Sequence, residues 1–344
     1  MRIKITYSIF KSWKLYFSLW MTLSFQSIGQ QRVHFTQYMI NQYVLNPAAG
    51  GIGADLDLNV GYRKQWVNFK GGPVTYYFSG HMPIRTSRKP PKGAIDVPHA
   101  FQSAGAFAFK DQTGPISKTS ALVSYSYNLP LSKGFRLALG VYGGFMQLQL
   151  DNNLLKFDQQ GEVTNYTTKT LPDGSAGLWL YNNYFYFGSS ANQLFYNSVD
   201  FYKNDNATNS SANSSNLVYH YYVTTGVKIP LSHPTEVKDM FDWYIVPSTM
   251  IKYGGWGTPI SIDLNTKLKY KDHFWIGSSY RHRDAIAFLV GVRFHTKDIG
   301  AFEVGYSYDY TLTKLNSYTS GSHEIILGYT HKMKKSIICP DKFW

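Results

Sequence analysis

The sequence has a single cysteine, Cys339, so an internal disulfide is excluded and stability has to come from strand pairing and burial. Charged residues are also scarce, at 16% of the 344 residues. Mean hydropathy is -0.27, and no apolar run reaches the ~20 residues of a transmembrane helix, so the composition excludes a helical membrane protein. It does not exclude a membrane barrel, in whose strands only alternate residues are apolar.

Recognisable catalytic motifs are missing as well. No stretch matches the zinc motif of metalloproteases, a phosphate-binding loop, a nucleophile elbow or paired cysteines. The polar clusters at 282–284 and 323–324 leave one enzymatic alternative, a hydrolase that uses His282 or His323 at the rim of a barrel. Turn residues and a lumen acid paired with a base explain both clusters more simply. We therefore predict a protein that is not an enzyme and has no cofactor or metal site.

The N-terminus has the pattern of a secretory signal peptide. Basic residues precede an apolar run of about eleven residues, Leu15–Phe25, and a small-residue site follows at Ser27–Gly29. We expect cleavage after Gly29 or one or two residues away, which predicts an exported protein that is either soluble or a barrel. The net charge of +13 is spread along the chain, so an exported protein of this kind is not expected to bind nucleic acid.

Twenty-eight tyrosines and 29 glycines favour many strands over helices. The alternation is clearest over Ala301–Thr311, where every second residue from Phe302 to Tyr310 is large and apolar, and it resumes over 324–330. Period two places each set on one face of a strand. In a soluble sandwich the apolar face would form the core, whereas in a barrel it would face lipid. Many small residues on the opposite face favour the barrel.

About fourteen such segments follow one another, an even number that suits an outer-membrane barrel. We predict a closed antiparallel transmembrane β-barrel over 54–333, preceded by the signal peptide at 1–29 and an arm at 30–53, and followed by a tail at 334–344. Polar loops are expected at Asp151–Ser175 and Asn192–Asn216. A bulge is expected at Gly143–Gly144 and a two-residue turn at Asn182–Asn183.

Two groups of residues are candidate functional sites. The arm is rich in large apolar side chains, which are costly to leave in water, so a plug or a partner-binding segment is favoured over a disordered one. Its candidate residues are Phe35, Tyr38, Met39, Tyr43, Asn46 and Pro47. A second group shares the inner face of the last strands and is interpreted as ion pairs that close the lumen. It consists of Arg281, Arg293, Glu303, Asp309 and Glu324.

Five stretches in this order resemble the PorP/SprF family of the type IX secretion system. They are FTQYMINQYVLNPAAGG (35–51), YRKQWVNFKGGPVTYYFSGHMPI (62–84), FKDQTGPISKTSALVSYSYNLPL (109–131), IDLNTKLKYKDHFWIGSSYRHRDAIAFLVG (262–291) and GYSYDYTLTKLNSYTSGSHEIILGY (305–329). The combination of NPA, RKQW, GP and SGSHEI is specific, whereas any one of them alone is weak.

The resemblance implies a non-enzymatic barrel in the outer membrane of Bacteroidetes that serves secretion or gliding motility. Its implied partners are outer-membrane lipid and either the periplasmic lipoprotein and ring components of the machine or secreted adhesins that carry a type B C-terminal domain. Of the two roles, the resemblance favours display of cargo. A general or substrate-specific porin is the alternative.

Overall fold

The computed structural model describes residues 33–53, 55–84, 100–132, 134–154, 166–195, 199, 217–232, 242–255, 258–296, 299–331, 333 and 342–344. The predicted signal peptide, most of the predicted tail and most of the loop at Asn192–Asn216 lie outside these residues.

Fourteen β-strands form within the described residues, the eighth of them interrupted at Lys228. In chain order they are β1 Leu56–Lys64, β2 Val74–Ile84, β3 Phe101–Thr113, β4 Ile116–Pro130, β5 Arg136–Asp151, β6 Tyr166–Tyr181, β7 Phe185–Asn192, β8 His220–Val227 with Ile229–Pro230, β9 Trp243–Tyr253, β10 Ser261–Tyr270, β11 Phe274–Arg281, β12 Ala285–Thr296, β13 Gly300–Thr311 and β14 Ser322–His331.

The strands close into an antiparallel barrel. Each strand pairs with the next along the chain, and β1 pairs with β14 in a register that sets Leu56 opposite His331 and Lys64 opposite His323. Every strand therefore has a partner strand on both sides, which a strand-built membrane protein requires. The prediction of a closed barrel of about fourteen strands is confirmed.

Large apolar side chains point outwards around the barrel, as the alternation predicts. Val123 is 68% exposed and Phe288 is 59% exposed, although both lie in the middle of strands. The inner face carries small and polar residues together with buried aromatic ones such as Tyr77 and Trp179. On β13, for example, Ser307 and Asp309 are buried while Tyr306 and Tyr310 are exposed. The barrel therefore presents an apolar outer surface, the arrangement of a strand-built membrane protein.

Three local predictions were wrong. Residues 166–175 belong to β6 and not to a loop, because Thr170, Asp173 and their neighbours pair with β5 despite their polarity. No bulge occurs at Gly143–Gly144, whose register with β4 is continuous. The turn after β6 has three residues, Asn182 to Tyr184, because the Asn182 side chain accepts hydrogen bonds from the backbone N–H groups of Tyr184 and Phe185.

Short helices occur in the described residues before β1, between β5 and β6, and between β13 and β14. The arm forms three one-turn 3₁₀ helices, Gln37–Met39, Gln42–Val44 and Pro47–Ala49, and two more lie at Asn152–Leu154 and Lys314–Tyr318. None of the helices in the described part of the chain is long and apolar enough to cross a membrane.

Candidate functional site

The arm lies inside the barrel. Residues 33–52 are almost all buried, with Tyr38 2% exposed and Ala48 fully enclosed. We refer to the end of the barrel at which β1 begins and β14 ends as the proximal end, and to the opposite end as the distal end. The arm runs from charged groups near the distal end to Gly50–Gly51, whose backbone groups bond to strand residues near the proximal end.

Glycines on the inner face make room for the arm. A Cβ atom on Gly140 would lie 2.5 Å from the backbone nitrogen of Ala48, and one on Gly177 would overlap the side-chain oxygen of Asn46. A side chain at Gly140 would push the backbone of the arm away from the wall, and one at Gly177 would displace the Asn46 side chain. Small residues on the inner face, which favour a barrel in the sequence, therefore include two glycines against which the arm packs.

Asn46 joins the arm to two strands. Its side-chain nitrogen donates to the carbonyl oxygens of Leu178 on β6 and Ser189 on β7, each at 3.0 Å. Its side-chain oxygen accepts from the backbone N–H of Ala48 and caps the helix that begins at Pro47. One side chain thus sets the local fold of the arm and its position on the wall.

Aromatic side chains fill the middle of the lumen. The ring of Phe35 packs edge-on against Tyr77 at 4.9 Å, and Tyr43 packs against His81 at 4.6 Å and Tyr142 at 5.3 Å. The Tyr142 hydroxyl donates to the carbonyl oxygen of Tyr43 at 2.6 Å. Burial raises the pKa of Tyr43 to about 12, so this phenol stays neutral and acts only through hydrogen bonds and packing.

A buried ion cluster holds the start of the arm near the distal end. Arg63 lies 2.7 Å from Asp309 and 3.1 Å from Glu324, and Arg281 lies 2.6 Å from Asp309. Thr36 sits among them: its backbone N–H donates to Glu324 at 2.6 Å and its hydroxyl donates to Asp309 at 2.8 Å. The cluster therefore connects four strands, β1, β11, β13 and β14, to the arm.

A second contact lies beside this cluster. The Tyr38 hydroxyl bonds with Asp263 and Asn265 on β10, and Lys252 on β9 pairs with Asp263 at 2.5 Å. Burial first, and then the charge of Asp263, raise the pKa of Tyr38 well above its ordinary value, so Tyr38 also remains neutral.

The predicted lumen cluster divides between the two ends of the barrel. Arg281, Asp309 and Glu324 form the distal cluster, whereas Arg293 and Glu303 face each other at 3.9 Å on the proximal half of β12 and β13. Sequence reasoning placed all five on the inner face but treated them as one group. Their height along the strands, which depends on the tilt and register, separates them.

Arg63 and Thr36 were missed as members of the distal cluster. A signal for Arg63 exists, because it lies on the inner-facing set of β1, and a closed barrel must pair β1 with the strand that carries Glu324; the register sets these two residues opposite each other. No pattern in the sequence indicates Thr36, whose position depends on how the arm folds inside the lumen.

A cavity of about 580 Å³ opens at the proximal end. Its wall combines the charged residues Lys267, Lys269, Asp272 and Arg293 with apolar groups of the arm and of the last residues of the chain. Asp272 lies in the turn between β10 and β11, 2.7 Å from Lys269 and 3.5 Å from Arg293. Burial alone would raise its pKa, but these two cations outweigh burial and lower it to about 2.

Phe343 and Trp344 also lie inside the barrel mouth. The Trp344 ring packs against Trp179 at 5.4 Å and Tyr186 at 5.1 Å, and Lys342 pairs with Asp57 at 3.0 Å. These residues form one side of the proximal cavity.

The two histidine clusters take part in local polar contacts. The His323 ring accepts or donates a hydrogen bond with the exposed Tyr306 hydroxyl, and Asp284 next to His282 pairs with Arg281 at 3.3 Å. In the described ranges, no three His, Cys, Asp or Glu side chains are grouped so that they could hold a metal ion.

A family model described as type IX secretion system membrane protein PorP/SprF matches residues 27–329 of the chain. No curated protein matches the chain significantly. Among solved structures, the chain is similar to the CymD monoaromatic hydrocarbon channel (11% identity, 90% of this chain and 95% of that chain covered, TM-score 0.48). It is also similar to the P. putida toluene transporter TodX, with 10% identity, 86% of this chain and 94% of that chain covered, and a TM-score of 0.48. The Acinetobacter baumannii outer membrane protein Omp33 is similar with 9% identity, 81% of this chain and 100% of that chain covered, and a TM-score of 0.42. These likenesses are too distant to indicate what the chain binds.

Proposed function

Since this chain belongs to the PorP/SprF family of type IX secretion system membrane proteins, we propose that it is a sealed, non-enzymatic outer-membrane barrel that binds other proteins of this machine and does not conduct solutes. The observation that carries the proposal is the arm, which fills the lumen from the distal ion cluster to Gly51. A general porin has an aqueous channel in this place.

The docking of the arm supports a permanent seal. Its contacts include buried charge-assisted hydrogen bonds at Thr36, an amide bridge at Asn46 and packed aromatic rings around Tyr43. Charge-assisted hydrogen bonds, such as those at Thr36, are about twice as strong as hydrogen bonds between neutral groups. Removing the arm from the lumen would take from Glu324 and Asp309 the hydrogen bonds that they accept from Thr36, which opposes spontaneous opening.

The orientation follows from barrel topology. Chain ends of bacterial barrels lie on the periplasmic side, with short turns there and longer loops outside. The proximal end, with its mixed cavity, would then face the periplasmic components of the machine, namely its lipoprotein and ring proteins. The distal end would face secreted adhesins that carry a type B C-terminal domain. Retention of such cargo at the cell surface is the role we favour.

A pull-down from native outer membranes tests this function. The tagged full-length chain is purified in mild detergent, its partners are identified by mass spectrometry, and an equally abundant tagged barrel of another family serves as the control. We expect enrichment of type IX secretion components or of a secreted adhesin. Recovery of only lipopolysaccharide and unrelated porins would contradict the proposal.

A further inference from the structure

Lys267 is a buried lysine that has no carboxylate within 4.0 Å among the described residues. It lies on the inner face of β10, is 3% exposed, and lines the proximal cavity. Its Nζ donates to the carbonyl oxygen of Met39 at 2.9 Å and lies 5.2 Å from the centre of the Trp275 ring. A buried ammonium group without an anion is unfavourable, because desolvation is compensated mainly by an opposite charge.

The neighbouring cations are different, because carboxylates already pair with them. Lys269 pairs with Asp272 at 2.7 Å, Lys271 with Asp242 at 3.6 Å, and Lys342 with Asp57 at 3.0 Å. Asp55 and Glu303 also line the wall, and Glu303 accepts a hydrogen bond from the Trp275 ring nitrogen at 3.0 Å and lies 3.9 Å from Arg293. No carboxylate of the described residues lies within 4.0 Å of the Lys267 Nζ.

Arg293 is a second cation in the same wall, and its interactions with the nearby carboxylates are weak. Its distances to Asp272 and Glu303 are long, at 3.5 and 3.9 Å, and its buried Nε has no hydrogen-bond partner among the residues described. Arg293 lies on β12, two strands from Lys267, and the Trp275 side chain lies on the strand between them. The two basic residues therefore lie on the strands that flank the strand of Trp275.

The rest of the wall indicates what kind of anion fits. Ile40 and Ile52 of the arm and Phe343 and Trp344 of the chain end are apolar, while Asn59 and Thr330 are uncharged and polar. A cavity of about 580 Å³ is in the range that encloses a ligand larger than a free ion. A carboxylate joined to an apolar group satisfies both parts of this wall.

We propose that the proximal cavity binds a carboxylate-bearing peptide segment of a partner protein, with the carboxylate at Lys267. A peptide fits better than a fatty acid, because an alkyl chain would remove water from the charged wall without replacing its hydrogen bonds, whereas peptide N–H and C=O groups supply them. The carboxylate comes either from an Asp or Glu side chain or from a chain end. The proposal rests on the proposed function for the existence of a protein partner.

Fluorescence anisotropy on the full-length protein in nanodiscs provides the test. The probe is the labelled peptide Gly-Ser-Glu-Leu-Phe, prepared with Glu or Gln and with a free or amidated C-terminus. We expect binding of the forms that keep the responsible carboxylate and a loss of about tenfold or more when both carboxylates are removed. If binding is lost when Glu is changed to Gln, the side-chain carboxylate is the group that binds. If binding is lost on amidation, the C-terminal carboxylate is the group that binds. Either result supports the proposal.

Variants locate the site. Lys267→Met is expected to weaken peptide binding about tenfold or more, Lys267→Arg to retain it, and Lys64→Met, which changes an exposed lysine at the distal end, to have no effect. Because Lys267 also bonds to the carbonyl oxygen of Met39, the fold of the variant is checked by electrophoresis of unheated and heated samples. The variant is used only if its migration in both samples matches that of the wild type. If it does not match, Arg293→Gln, which is expected to weaken binding in the same direction, takes its place.

Several results would overturn the inference. These are no binding by any form of the peptide below roughly 1 mM, equal binding by the doubly blocked form, or binding of laurate in place of the peptide. If the wild-type pull-down still recovers a type IX secretion partner while the peptides fail, this inference is wrong and the proposed function stands. If the pull-down recovers no such partner while the peptides bind, the proposed function is wrong and the cavity still binds a peptide carboxylate.

Discussion

Thr36 joins groups that would otherwise form an incomplete ion cluster. Its N–H and hydroxyl donate to Glu324 and Asp309, and its hydroxyl also accepts from Arg63 and Arg281. Because the cluster is buried, each member depends on the others for the compensation of its desolvation. The residues of the distal end therefore act together, and removal of one leaves the others with unpaired charge.

Replacement of Arg63 tests this dependence. Arg63→Met leaves Glu324 without its arginine partner, since Arg281 pairs with Asp309 but not with Glu324. We expect the free energy of unfolding to fall by about 3–5 kcal/mol, measured by urea titration in lipid vesicles. Lys64→Met, at the adjacent exposed position, is the matched control. Equal stability of the two variants would show that the cluster contributes little.

His34 makes the docking of the arm depend on pH. Burial first, and then the cations Lys252, Arg281 and Arg63, outweigh the opposing effect of Asp309 and lower the pKa of His34 well below its ordinary 6.5. A released arm would take up a proton as pH falls through 6.5, whereas the docked arm would not. The stabilising contribution is thus complete above 6.5 and decreases as pH falls towards the lowered pKa.

The variant His34→Gln removes this titration. Thermal unfolding of the wild type and the variant is compared at about pH 7.5 and about pH 5.5. We expect the wild type to lose more stability than the variant over this interval. Parallel losses in both proteins would mean that His34 does not titrate between the docked and the released states.

At the scale of elements, the arm and the inner face of β5 and β6 have complementary shapes. Gly140 and Gly177 leave space into which Ala48 and Asn46 fit. Gly143, on the same strand as Gly140, points away from the lumen and has nothing within 4 Å of the position of a Cβ atom. Two glycines of one strand therefore differ in whether the arm needs them.

This difference gives a matched pair of variants. Gly140→Val is expected to displace the arm while leaving the barrel closed, whereas Gly143→Val is expected to leave the arm in place. Limited proteolysis checks both: the arm of the first variant should be cleaved faster at unchanged heat-modified migration of the barrel. Equal cleavage of the two arms would contradict the role of the inner-face glycines.

The strands were predictable because a single physical requirement governs them. Each strand has lipid on one face and a filled lumen on the other, so apolar and polar residues alternate with period two along β10, β12 and β13. The prediction failed at residues 166–175, where β6 extends with polar residues on both faces and the periodicity gives no signal. It also failed to separate the two ion clusters, because distance along the barrel axis depends on register and not on which face a residue occupies.

The arm was less predictable than the strands. Its apolar content indicated that it would not remain in water, but its partners lie far along the chain on strands such as β6 and β14. Such contacts form only after the barrel closes. No local pattern identifies Thr36 or the carbonyl of Met39 as contact points.

At the scale of the whole molecule, a lipid-facing barrel is combined with an internal segment that occupies its lumen. The distal end is closed by ion pairs, the middle by aromatic rings, and the proximal end carries the cavity lined by Lys267. In the proposed function, the outer face inserts into lipid, the arm seals the lumen and the cavity binds a partner. A sealed lumen would distinguish such a protein-binding barrel from a porin.

Planar bilayer conductance of the purified full-length protein tests this seal most directly. We expect almost no steady conductance for the wild type and open channels for a variant without residues 30–53. Gly140→Val is the second variant if the deletion fails to insert. Porin-like conductance of the wild type, unchanged by either variant, would contradict the claim that the arm closes the barrel.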